Sequence, residues 1–142
     1  MKLLPIYLFA AVMLMLSYSC KRTQPMPEEY AGMLREAACI VDSLPDSALS
    51  IVKTMEADGS GNTGWLSEMH YITGLAKFKL WDFKGAIREL LYAEKYAGEI
   101  KNYNLLGNVR ISISQLYDSL NCLDGGARYS LAAADAYTLA MD

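Results

Sequence analysis

His70 is the only histidine in 142 residues, and it has no cysteine and no acidic pair at the spacing a metal site requires. It is read as a packed or surface residue. Asp58, Ser60 and Asn62 alternate as calcium-loop oxygens do. A calcium loop, however, needs Gly at its sixth position and a bidentate Glu at its twelfth, where this chain has Thr63 and Met69. The glycines of the same stretch lack the Gly-Lys-Ser/Thr ending that cradles a phosphate, so the stretch is read as an interhelical turn. No Ser-x-x-Lys, nucleophile elbow or paired-carboxylate pattern occurs. The sequence therefore assigns no catalytic residue, no metal and no cofactor. Cys39 and Cys122 fall on apolar helical faces and are read as two buried thiols, with a disulfide between them as the alternative. That leaves Cys20, which follows an apolar run.

The run is Leu3 to Leu16, LLPIYLFAAVMLML, uncharged and preceded by Lys2. It is shorter than the roughly twenty residues a spanning helix needs and has the length and flanks of a secretory h-region. Ser17 and Ser19 supply small side chains before a cut that would leave Cys20 first. The segment Leu16-Ser17-Tyr18-Ser19-Cys20 resembles the lipobox of bacterial lipoproteins, with the looser spacing found in the Bacteroides group. The resemblance implies a signal peptide over residues 1–19, lipid on Cys20, and a protein exported and anchored to a bacterial membrane, at the periplasmic face or the outer membrane. Several acyl chains hold a protein where one would be marginal.

Cleavage removes one charged residue, Lys2, leaving 12 of the 13 basic side chains against all 16 acidic ones. That balance, with no basic cluster, argues against a nucleic-acid partner. Residues 20–27 hold two prolines and read as the anchored cysteine and its tether. Residues 28–142 read as one all-α domain. Tyr30, Leu34, Ala37, Ala38, Val41 and Leu44 recur at helical spacing up to Pro45; Asp46 or Ser47 is then expected to cap a helix carrying Ala48, Ile51, Val52 and Met55.

Two further helical patterns, Trp65 to Leu80 and Phe83 to Ala97, meet at Trp81-Asp82. With Gly74, Ala86 and Ala93 at its small-residue positions, Phe83 at its aromatic one and Leu90 between, this stretch resembles a tetratricopeptide repeat. His70, Thr73 and Lys77 depart from that pattern. A second copy follows at a shift of forty: Ser114 under Gly74, Tyr117 under Lys77, Leu123 under Phe83, Gly126 under Ala86 and Ala133 under Ala93. Residues 28–56 make a third, degenerate copy. Its LPDSALSIV is similar to stretches in helical-repeat lipoproteins and sensor proteins of the Bacteroides group.

The resemblance implies antiparallel helical hairpins, about three pairs, stacked as an α-solenoid whose first helices line a concave face. By that register the face carries Glu68, Tyr71, Leu75, Phe78 and Lys79, then Asn108, Ile111, Gln115, Asp118 and Ser119. Such a lining suits an unidentified protein or peptide; for Tyr71, Leu75 and Phe78 a plain core role is the alternative. With Tyr71 and Leu75 where other members place a Lys and Asn pair, chaperone-tail binding is not expected. The last helix, ARYSLAAADAYTLAM, has only Arg128 and Asp135 charged. It is expected to pack on a second copy or a continuation of the chain, with Tyr137 at the contact. The functional expectation is a membrane-anchored interaction scaffold without catalysis. The alternatives are the sensing segment of a longer repeat-type regulator and a fragment of a nutrient-binding outer-membrane lipoprotein.

Overall fold

A computed structural model describes residues 26–56 and 62–142, and these form six α-helices: α1 (Glu28–Ile40), α2 (Pro45–Glu56), α3 (Thr63–Lys79), α4 (Phe83–Glu99), α5 (Tyr103–Ser119) and α6 (Leu123–Met141). The expected signal peptide, Cys20 and most of the tether lie outside the described residues, as do Asp58 and Ser60. Among the described residues, no helix is long and apolar enough to cross a membrane.

From α3 onward the helices start at residues 63, 83, 103 and 123, a strict period of twenty. Short polar side chains start the first three of these: Asn62 Oδ1 accepts from the Gly64 amide at 2.9 Å, Asp82 Oδ1 from Gly85 at 2.9 Å and Asn102 Oδ1 from Leu105 at 3.1 Å. Left-handed residues end them at the same period, with Trp81, Lys101 and Asn121 at φ of 64°, 56° and 56°. Each heads a paired set of reverse hydrogen bonds, such as Asp82 N–H to Lys77 O at 2.9 Å and Trp81 N–H to Phe78 O at 3.1 Å. These pairs satisfy the last carbonyls and turn the chain within three residues.

The first hairpin departs from the sequence reading. α1 ends at Ile40 rather than Leu44, and Val41 to Ser43 form a turn. Pro45 disfavours helical geometry at Leu44, which is 56% exposed, and Pro45 itself opens α2 where a missing N–H costs nothing. Leu44 O accepts from the Ala48 amide at 3.0 Å. Neither Asp46 nor Ser47 therefore holds the cap position; Asp46 sits in the first turn, where the helix dipole favours it. Ala38, expected inside, is exposed.

Each helix packs on the next. In addition α3 touches both α1 and α5, whereas among the described residues α2, α4 and α6 do not touch one another. The odd-numbered helices thus form one layer and the even-numbered ones a second. One core cluster joins α1, α2 and α3 through Leu34, Val52, Met55 and Ile72; a second joins α4, α5 and α6 through Leu90, Val109, Ile113 and Ala136. Close approach depends on small residues. Ala86 and Ala93 are fully buried, and a Cβ on Gly74 would lie 2.8 Å from Leu90 Cγ. Cys39 and Cys122, by contrast, are free and exposed. Cys122 stands just before α6 rather than within a packed face, and no disulfide joins the two.

Candidate functional site

The odd-helix layer carries a pocket of about 270 Å³ between α3 and α5. Tyr71, Leu75 and Phe78 follow the four-and-three spacing that keeps residues on one face of α3, with Lys79 beside them, and Asn108, Ile111 and Gln115 do the same on α5. Those are seven of the ten residues that the repeat register puts on the concave face. Tyr71 and Phe78 also pack against the α4–α6 core cluster, and Leu75 against the α1–α3 cluster, so each serves the core and the pocket wall together.

Three register residues stand apart from this lining. Glu68 is half-buried, and burial pushes its carboxyl above the ordinary range. The Asp118 carboxylate lies against the backbone of Gly126 on α6. The Ser119 hydroxyl donates to the Gln115 carbonyl at 2.8 Å.

The pocket also has three walls that sequence reasoning missed. Asp42, in the turn after α1, accepts from Lys79 Nζ at 2.8 Å and closes one side. Ser112 sits beside Tyr71, whose phenol is pushed up by burial while the Ser112 hydroxyl pulls it the other way. Tyr137 arrives from α6 and donates its hydroxyl to Asn108 Oδ1 at 2.7 Å. Ser112 was open to discovery, since it falls on the same α5 face. Asp42 and Tyr137 come from elements far away in sequence, and no local spacing marks them. The position of Tyr137 also corrects its expected place on the outer face of α6: it is half-buried and turned into the molecule, and the large apolar residues that the helix exposes include Leu131, at 71%.

Searches of protein-family models, of curated proteins and of solved structures return no match.

A second polar group lies between α3 and α4. His70 Nδ1 meets Glu89 Oε2 at 2.8 Å, Lys77 Nζ donates to Glu89 Oε1 at 2.9 Å, and Arg88 reaches the same oxygen at 3.3 Å. The rings of Tyr92 and Tyr96 lie 5.2 and 5.6 Å from the imidazole. Burial alone would raise the Glu89 pKa, but hydrogen bonds and charge from Lys77 and His70 outweigh it and hold the carboxyl below its ordinary value of 4.5. An anion so well supplied with donors is a weak proton acceptor at neutral pH. The partner of His70 was invisible in the sequence because it lies nineteen residues on, across a helical hairpin. Among the described residues, no three or more His, Cys, Asp or Glu side chains gather closely enough to hold a metal ion.

Proposed function

We propose that the protein is an exported lipoprotein, anchored to a bacterial membrane through Cys20, whose stacked hairpins form a tetratricopeptide-like α-solenoid and hold a partner protein or peptide in the pocket between α3 and α5. The scaffold performs no chemistry of its own. One observation carries the reading: seven of the ten residues that the repeat register assigns to a concave face line a single pocket. The mixture of rings, aliphatic side chains and amides there suits a peptide segment, which brings both apolar side chains and a polar backbone.

A second reading, the sensing segment of a longer repeat-type regulator, is favoured by α6. Leu123, Leu131, Leu139 and Met141 are 71%, 71%, 51% and 81% exposed. A further hairpin or a second copy would cover them.

Fractionation tests the anchor. Wild type should sediment with membranes and take up a fatty-acid analogue, and Cys20→Ala should do neither; a soluble, unlabelled wild type overturns it. For the pocket, Phe78→Asp should abolish capture of a membrane partner that Leu131→Asp retains. The reverse pattern moves the interaction to α6.

A further inference from the structure

Tyr137 is a residue of the even-numbered layer that reaches into a pocket of the odd-numbered one. It passes over α5 at Gly107, where a Cβ would stand 2.7 Å from Tyr137 Cδ1, so only glycine admits the ring. The α3–α4 hairpin has no such arm: forty residues earlier, Ala97 stands in place of Tyr137 and Ser67 in place of Gly107.

The phenol fixes the neighbouring amide. Because Tyr137 donates to Asn108 Oδ1, that oxygen is engaged and the Asn108 carboxamide, which lines the pocket, is left its N–H2 group as a donor. Gln115 lies seven residues further along α5, about 10.5 Å at the helical rise, with Ile111 between. Its amide makes no hydrogen bond within the described residues. The only charged groups in the lining, Asp42 and Lys79, neutralise each other. The pocket therefore offers spaced amides, an apolar floor and no spare charge.

We propose that Tyr137 is the specificity-determining residue of this pocket: by holding Asn108 as a donor it selects an uncharged, extended peptide segment that places a backbone carbonyl there. Three extended residues span about 10 Å, so the same segment meets Gln115 with its next free backbone group while a central apolar side chain lies on Ile111, Leu75 and Phe78. A charged residue at that centre would be desolvated without a partner, which disfavours it strongly. The proposal rests on the peptide-groove reading above and adds the chemistry of the occupant.

Titration of the full chain with acetyl-Ala-Leu-Ala-amide, followed by NMR on the side-chain amides of Asn108 and Gln115, tests it. Both signals should shift, and the Asp-centred analogue should bind at least tenfold more weakly. Maltose, a neutral ligand of similar length, should leave them unmoved. Tyr137→Phe keeps the ring over Gly107 and removes only the hydroxyl; it should weaken binding about fivefold, the worth of one neutral hydrogen bond. Asn108→Asp, which replaces the donor by acceptors, should abolish binding. Unmoved signals in the wild type, equal binding of the Asp-centred peptide, a response to maltose alone, or an unaffected Tyr137→Phe each overturn the proposal. Should Tyr137→Phe lose more than a few degrees of melting temperature, Asn108→Asp decides alone. If capture of the membrane partner still depends on Phe78 while the tripeptide fails, the groove reading survives and only this proposal falls.

Discussion

The α3–α4 and α5–α6 hairpins share a backbone period and fill their interiors by opposite means. His70, Lys77 and Glu89 in the first correspond, forty residues on, to Arg110, Tyr117 and Tyr129 in the second. The first of these hairpins buries a carboxylate between Lys77 and His70. The second stacks Tyr117 on Tyr129 at 5.7 Å and joins Arg110 to Glu94 and the Ala132 carbonyl, each at 2.8 Å, tying α4 to α6 across α5. At one close contact between the paired helices, Gly74 receives Leu90 in the first of these hairpins. In the second the equivalent pair is Ser114 and Ser130, hydroxyl to hydroxyl at 2.8 Å. Caps and turns thus set the architecture, and the interior can be met by charge, ring stacking or hydroxyl pairs provided every polar group finds a partner.

The largest effect should come from breaking the charged interior in part. Glu89→Ala leaves Lys77 and His70 without their common partner. The cost should be about 2–3 kcal/mol, below the full penalty for a dry pair because those side chains remain 22% and 26% exposed. Changing all three at once to the second hairpin's residues, His70→Arg, Lys77→Tyr and Glu89→Tyr, should recover most of that loss in a chemical-denaturation series. If it does not, the two interiors are not interchangeable.

Ala86→Leu comes next. Ala86 is fully buried, and the added volume should cost on the order of 1–3 kcal/mol. A neutral melting curve would show that the α3–α4 contact has slack.

Acid titration tests the charged interior of the α3–α4 hairpin. The folded-state pKa of Glu89 is depressed, so its stabilisation is complete above about 4.5 and is lost as pH falls through the lower folded value. The gap between wild type and Glu89→Gln should therefore narrow as pH falls below about 4.5 and close once the pH is under the depressed folded-state value. A gap that persists into acid would mean that the carboxylate's charge contributes nothing.

The smallest effects lie in the turns. Trp81 holds a left-handed φ of 64° with no side-chain adaptation to it, so Trp81→Gly should gain about 1 kcal/mol less its edge contact with Phe83. Asn121→Gly, at a residue that tolerates this region, should gain only a few tenths.

Helix content was legible because apolar spacing and small residues are local signals: Ala86 and Ala93 are fully buried, and Gly74 admits Leu90. The twenty-residue period of Asn62, Asp82 and Asn102 was equally visible, yet the forty-residue repeat masked it. The end of α1 was misplaced because Leu44 and Ala38 continue an apolar stripe past the point where Pro45 stops the backbone. Cys39 and Cys122 were misread for a related reason: apolar neighbours in sequence do not establish which face is covered. The pocket was half legible. Its helical walls follow from register, but Asp42 and Tyr137 enter through packing between elements, as does the Glu89 partner of His70.

The central claim is that the face between α3 and α5, rather than the outer layer, receives the partner. A photoreactive amino acid placed at Gln115 and, separately, at Lys95 on α4, followed by irradiation of intact membranes, tests it most directly. The account predicts a discrete crosslinked species from position 115 that disappears with Phe78→Asp, and none from position 95. Crosslinking from position 95 alone would contradict it.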